Sequence, residues 1–288
     1  MFRHIGMYLN FAVNIFVTTA ILGVFIGNDQ LALGITLLLM ACCVGVSFSP
    51  VGTWLFRYQY NLQEPNVMER KRIEPIFQYV YQKALSKSKG LPKDIRWYIH
   101  NDDSINAFAV GLHTIGINIG MLNCCRDDEI AAILAHEFAH IAHRDALATT
   151  LSVQSNSLAL LGKSVAVLAM RVIGTGIGFL FKIISEDELV GTIMGFVAKA
   201  ISWLFDIYIS IIFTICLAIS YASCRKQEYD ADWYAAQLGF KKPLIHAFGR
   251  FPTEGKVSFA ADITQMLYGT HPKTEDRIKR LEAYKEVA

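Results

Sequence analysis

Ala135-His136-Glu137-Phe138-Ala139-His140 places two histidines four residues apart. On an α-helix that spacing puts both imidazoles on one face, one turn above the other. Two imidazoles stacked in this way can fill two positions of a tetrahedral zinc ion. Glu137 stands beside the first histidine, placed to reach a zinc-bound water without ligating the metal. That is the position of a general base in metal-assisted peptide hydrolysis. The flanking run Asp127 to Arg144 predicts a helix, with apolar residues at Ile130, Ile133, Leu134, Phe138 and Ile141. Asp127, Asp128 and Glu129 form its first turn, where the helix dipole favours negative charge. The helix is therefore expected to be amphipathic and water-facing at its start. This argues against a metal site inside a membrane span, the arrangement of a site-2-type intramembrane protease.

A second segment completes the ligand set. Glu228-Tyr229-Asp230-Ala231-Asp232-Trp233-Tyr234-Ala235-Ala236 reads as a helix ending at Gly239. Glu228 and Asp232 are four apart and share a face. Two histidines and one glutamate commonly hold a catalytic zinc, with the fourth position left to water, and Glu228 fits as that glutamate. Asp232, one turn on, fits a carboxylate that accepts the free ring N–H of a ligating histidine. A solvated acidic face is the other reading of this helix. His143 competes as a ligand, but three histidines on one short helix would crowd a single ion. The expectation is one zinc per chain.

The surrounding composition is that of a membrane protein with a water-facing part. The 288 residues are 53% hydrophobic, with a net charge of +2 that makes no case for nucleic-acid binding. Residues Ile5 to Gly27 and Leu31 to Ser49 are uncharged runs of membrane-spanning length, joined by Asn28-Asp29-Gln30. The first has no cleavage-site pattern and is not read as a removable signal peptide. Trp54, Phe56, Tyr58 and Tyr60 suit an aromatic belt at the far interface. A second pair of apolar runs covers Ala146 to Ile184 and Leu189 to Cys224, joined by the acidic Ser185-Glu186-Asp187-Glu188. Lys163 and Lys182 could snorkel to opposite interfaces. Arg171 must face the bundle interior, or its span must be shifted or tilted. Both hairpins have an acidic turn and basic ends (Arg3, Arg57, Arg70-Lys71-Arg72, Arg225-Lys226), which places the ends in the cytoplasm. The six cysteines lack zinc-knuckle or redox spacing and read as buried thiols in a reducing compartment.

Between the hairpins, Asn61 to Leu91 reads as a basic amphipathic helical region, broken or kinked near Pro75, its charges a solvated face. Ile95 to His100, Ile105 to Val110 and Ile115 to Ile119 then predict a small antiparallel sheet. Asn106-Ala107-Phe108-Ala109 lies on a candidate edge strand, to which an extended peptide could add, or on an ordinary strand. The expected architecture is mainly α with a small antiparallel β-sheet. Residues 1–60 form one transmembrane hairpin and 151–224 a second, while 61–150 and 225–288 form the two parts of a cytoplasmic, zincin-like catalytic domain.

HEFAHIAHRD, SCRKQEYDAD and HPKTEDRI, set around two hydrophobic hairpins, resemble the HtpX family of membrane-bound zinc metallopeptidases, which is distantly related to the CAAX prenyl proteases. The likeness covers nearly the whole chain. It implies His136, His140 and Glu228 as zinc ligands, Glu137 as catalytic base and Asp232 behind the ligands. It implies that Asn106, Ala107, Phe108 and Ala109 face the substrate, and that His271 and Arg277 lie near the site, His271 helping to stabilise the oxyanion. On the residues alone, His271-Pro272 could simply start a helix and Arg277 could be a surface cation. Arg126 departs from the pattern, standing where the family has a capping Ser or Thr. The resemblance further implies a multi-pass protein of the bacterial inner membrane that cleaves misfolded or damaged membrane proteins, bound as extended peptides, alongside other quality-control proteins. The alternative is a zinc-bound membrane scaffold or holdase without turnover.

Overall fold

The computed structural model describes residues 4–185, 188–250 and 272–284. They form two compact units, one built from the chain up to residue 7, 44–151 and 221 onward, the other from 8–43 and 152–220.

The second unit is helical and apolar. Helices α1 (Ile5–Ile26) and α2 (Asp29–Ser47) supply its first two candidate spans. The others lie in α7 (Asp145–Ser185) and in α8 (Glu188–Ala235), whose spanning part is Leu189–Ile212. These four helices make the chain a membrane protein. Lys163 does not snorkel as expected. Its ammonium pairs with Asp206 of α8 at 2.8 Å and donates to Ser210 Oγ at 2.8 Å. Mutual compensation is the cheaper arrangement for two ionisable groups among apolar helices. Asn14 joins α1 to α7 in the same way, donating to Ser155 Oγ at 2.9 Å and Asn156 Oδ1 at 2.8 Å. Arg171 is exposed. The 41-residue α7 is ~60 Å long at 1.5 Å per residue, about twice the hydrocarbon thickness, so Arg171 need not lie at mid-depth.

The first unit carries a four-stranded sheet and the remaining helices. The sheet comprises β1 (Leu62–Gln63), β2 (Arg96–His100), β3 (Ala107–Val110) and β4 (Thr114–Asn118), in the order β1-β2-β4-β3. It is mixed rather than antiparallel throughout. β3 and β4 form a hairpin turned at Gly111, whose φ of +62° suits glycine. The hairpin inserts β4 beside β2, and those two strands run parallel. The insertion follows from burial: all five β4 residues are buried, so β4 belongs inside the sheet. Gly116 of β4 faces Phe108 across the hairpin, and a Cβ there would stand 2.7 Å from the Phe108 ring. β3 is left at the edge.

Helix α3 (Pro50–Gln59) contains three of the four expected aromatic residues, with Tyr60 as its C-cap; Phe56 turns inward while Trp54 and Tyr58 stack on each other at 5.9 Å and remain exposed. Helix α4 (Val67–Lys87) runs through Pro75 as one element. A reciprocal capping box between Asn66 and Glu69 starts it, and buried Ile73, Phe77, Val80 and Ala84 hold one face to the core, offsetting the lost backbone bond. After the short α5 (Ile119–Cys124) comes α6 (Asp127–Ala142), which carries the two-histidine motif. It starts with Asp127 and Asp128 in water, and the side chain of buried Glu129 reaches back to accept the Arg126 N–H at 2.8 Å. Every residue from Glu129 to Ala139 is buried, however, which makes α6 a core helix rather than an amphipathic one. Phe138 stacks on Tyr81 and meets Phe77, each at 5.2 Å.

The segment with Glu228 is not a separate helix. It is the C-terminal part of α8, followed by a π-turn, Ala236–Phe240, in which Gly239 takes φ +90°. Helices α9 (Lys241–Phe248) and α10 (Thr274–Ala283) complete the unit. Of the described thiols, Cys125 is buried and Cys43 half-buried, while Cys42 and Cys124 are exposed.

Candidate metal centre

Helix α6 and the last turns of α8 bring three ligand-type side chains together: His136, His140 and Glu228. His136 Nε2 lies 3.1 Å from His140 Nε2, and Glu228 oxygens lie 3.4 Å from each. A tetrahedral ion with bonds near 2.05 Å has donor–donor edges of roughly 3.3 Å. The separation of the two nitrogens is close to that figure, and each nitrogen has a Glu228 oxygen at a similar distance, Oε2 beside His136 and Oε1 beside His140.

The other ring nitrogens explain why these donors converge. His136 Nδ1 lies 2.9 Å from Asp232 Oδ1, and His140 Nδ1 lies 3.5 Å from Asp145 Oδ2. A carboxylate beside Nδ1 selects the tautomer with its proton there, leaving a lone pair on Nε2. With the Nδ1 protons so held, both Nε2 atoms and a carboxylate oxygen face one point, where a cation is needed: protons when no metal is bound, or a metal ion that displaces them. Burial alone lowers a histidine pKa, but here the surrounding carboxylates outweigh it. Asp232 and Glu228 hold His136 above its ordinary value, while Asp145 and Glu228 push His140 up to about 10. The chemistry of the donor set fits zinc.

Glu137 points out of the donor cluster toward the sheet. Its Oε2 accepts the backbone N–H of Ala109 on edge strand β3 at 2.8 Å. The Asn118 N–H donates to Asn106 O at 3.0 Å, so Asn106 and Phe108 turn their backbone groups toward β4, while Ala107 and Ala109 turn theirs away from it. Of the four edge residues expected to face a substrate, Ala107 and Ala109 are thus the ones whose backbone groups lie on the open side. The Phe108 ring packs against Tyr60 and His100, each at 5.6 Å.

Arg277 of α10 is no surface cation. Buried, its guanidinium donates to Asp232 through Nε at 2.8 Å and Nη2 at 2.6 Å, while Nη1 lies 3.3 Å from Glu228 Oε2. It also lies 4.2 Å over the Phe248 ring. Burial would raise the Asp232 pKa, but the Arg277 contacts outweigh it and hold the carboxyl below its ordinary value. His143 caps α6 and packs on Tyr234 at 5.6 Å, outside the donor cluster. His271 lies outside the described residues. Beside the cluster opens a cavity of about 330 Å³ between α6, β3, α9 and α10, touching His136, Glu137 and Arg277 and walled by Ile133, Ala107, Leu244 and Phe248.

Asp145 is the site neighbour that sequence reasoning did not single out. Its available signal was its distance of five residues from His140, just past the helix end. That offset becomes meaningful once the intervening turn is known.

The site's helices lie within a stretch, residues 71–285, that matches the family model of Peptidase family M48. A Protease HtpX homolog of Bacillus licheniformis is 30% identical over 216 residues, covering 69% of this chain and 66% of the relative. One from Desulfotalea psychrophila is 27% identical over 303 residues, covering 98% and 100%. The crystal structure of S. mikatae Ste24p shares the fold with a TM-score of 0.52 and 16% sequence identity, over 95% of this chain and 63% of that one. With its histidine, histidine and glutamate cluster and four apolar helices, and on the family match over residues 71–285 and the HtpX relatives, the chain belongs to peptidase family M48, among its HtpX-type membrane metallopeptidases.

Proposed function

We propose that this chain is a zinc-dependent endopeptidase that cleaves extended, locally unfolded segments of membrane proteins on the cytoplasmic side of a bacterial inner membrane. The carrying observation is the convergence of His136, His140 and Glu228 beside a glutamate that is hydrogen-bonded to an open sheet edge. When bound, zinc supplies Lewis-acid polarisation of the scissile carbonyl and acidifies a coordinated water. Glu137 takes the proton of the attacking water and passes it to the leaving amine. The Ala109 N–H holds one Glu137 oxygen and keeps the other aimed at the reacting atoms. An incoming peptide pairs with Ala107 and the Ala109 carbonyl as an added antiparallel strand. Asp232 and Arg277 hold the ligands in orientation. The proposed oxyanion role of His271 rests on the sequence resemblance, and its neighbour Pro272 lines the cavity.

Edge pairing through backbone atoms alone would leave side chains unread, but the cavity supports a preference at one position. Glu137 marks the cleavage point opposite Ala109, while the cavity lies toward Ala107, at the start of β3. An antiparallel peptide reaches the start of β3 after passing Ala109, so the cavity receives the residue that follows the cut. Ile133, Leu244 and Phe248 favour an apolar side chain there. Detergent-solubilised protein is expected to cut an unfolded model protein with zinc and not after chelation. The new amino termini should be enriched about tenfold in Leu, Ile, Val, Met and Phe over charged residues, as read by mass spectrometry. Stoichiometric zinc with no fragments would instead favour the scaffold reading.

Cytoplasmic placement rests on the basic hairpin ends. Exposed Cys124 offers the test. A membrane-impermeant maleimide is expected to label it in inverted vesicles and not in intact spheroplasts, and the opposite pattern would place the site outside.

A further inference from the structure

We propose that Asp145 is the positioning residue for His140, fixing its tautomer and ring orientation as Asp232 does for His136. The inference rests on the reading that His140 is a metal ligand. The two histidines stand in matching surroundings. Each turns Nε2 to the shared centre and Nδ1 to a buried carboxylate, Asp232 for one and Asp145 for the other. The carboxylates come from different elements: Asp232 from the end of α8, Asp145 from the first residue of α7.

The backbone between His140 and Asp145 carries the second observation. Helix α6 ends at Ala142 with His143 as its cap, and Arg144 then takes φ +62°. That left-handed conformation is unfavourable for a residue with a side chain, and helices that close this way usually place glycine there. Here it turns the chain within two residues, so that α7 begins at Asp145 and the carboxylate reaches back to the ring one turn inside α6. A strained residue beside a buried carboxylate that faces a ligand is the pattern of a local distortion kept for a site. The other oxygen of Asp145 is approached by His4 Nδ1 at 3.8 Å, which adds a contact from the chain's start.

A competing account makes Asp145 simply the acidic first residue that favours the start of α7. Asparagine also suits a helix start but carries no charge with which to hold a ring N–H. The test therefore uses the full chain in detergent with Asp145→Asn and Asp145→Ala, and reads three quantities: zinc affinity by competition with a chromophoric chelator, the absorption spectrum of the cobalt(II)-substituted protein, and the melting temperature of the zinc-free protein. The expected result is zinc affinity reduced about 10–100-fold in Asp145→Ala and less in Asp145→Asn, as for other groups behind ligands. Both variants should show an altered cobalt spectrum, and Asp145→Asn should keep the zinc-free melting temperature. Wild-type zinc affinity and an unchanged cobalt spectrum in Asp145→Asn would overturn the proposal, and that variant decides if Asp145→Ala fails to fold. Wild-type protein that binds no zinc would instead defeat the reading of His140 as a ligand.

Discussion

Replacing Glu137 with Gln is expected to lower kcat by about 10²–10⁴-fold while zinc content stays at the wild-type level. Glutamine matches glutamate in shape, and its amide oxygen can still accept the Ala109 N–H that Glu137 accepts at 2.8 Å. What it lacks is the basicity to remove a proton from water at neutral pH. The three donors that face the metal position are His136, His140 and Glu228, none of which the change touches. The measurement pairs turnover on an unfolded protein with metal analysis of the same sample. Turnover within a few-fold of wild type would remove Glu137 from proton transfer. Lost zinc would show instead that the carboxylate supports the centre.

The second large effect is on stability. Arg277→Met is expected to lower the melting temperature by roughly 6–20 °C, from about 3–5 kcal/mol for stripping a buried ion pair of one partner. Asp232 and Glu228 are both buried, and the Arg277 guanidinium touches both. Methionine fills similar space against Phe248 but leaves two buried carboxylates without that cation. Arg277→Lys should restore the stability incompletely, because an ammonium cannot make the two parallel bonds to Asp232 that the guanidinium makes at 2.8 and 2.6 Å. The pH dependence has a definite sign. The Asp232 pKa is held below its ordinary value, so its contribution is present above the ordinary carboxylate range and is lost as pH falls through the lowered value. The deficit of Arg277→Met relative to wild type should therefore persist at neutral pH and shrink in acid. A melting temperature within about 2 °C of wild type at pH 7 would mean that water or protonation compensates the carboxylates, and that Arg277 is not needed to hold them.

The two predictions divide the site between chemistry and support. Glu137, hydrogen-bonded to the open strand edge, moves the proton in the proposed scheme. Arg277 touches neither the strand edge nor the reacting atoms in the proposed scheme. It joins the glutamate ligand to the carboxylate behind His136, so its loss should appear first in stability and metal retention.

What the sequence by itself determined is whatever depends on short spacing or on long apolar runs. His136 and His140 share a helix face because they are four apart, and Glu228 and Asp232 do so for the same reason. Residues Ile5–Ile26 and Asp29–Ser47 are helices long and apolar enough to cross a membrane, a property that composition alone declares. The tertiary structure decided what depends on groups distant in sequence meeting, or on a single unusual dihedral. That Arg277 lies beside Asp232 depends on packing α10 against the end of α8, and no periodicity encodes it. That β4 enters between β2 and β3, making the sheet mixed, depends on which strand buries both faces. That Lys163 meets Asp206 rather than an interface depends on two long helices lying side by side. Asp145 belongs to the same class although it is only five residues from His140. Its carboxylate returns to the ring through the left-handed turn at Arg144, a conformation that the side chains around it do not announce.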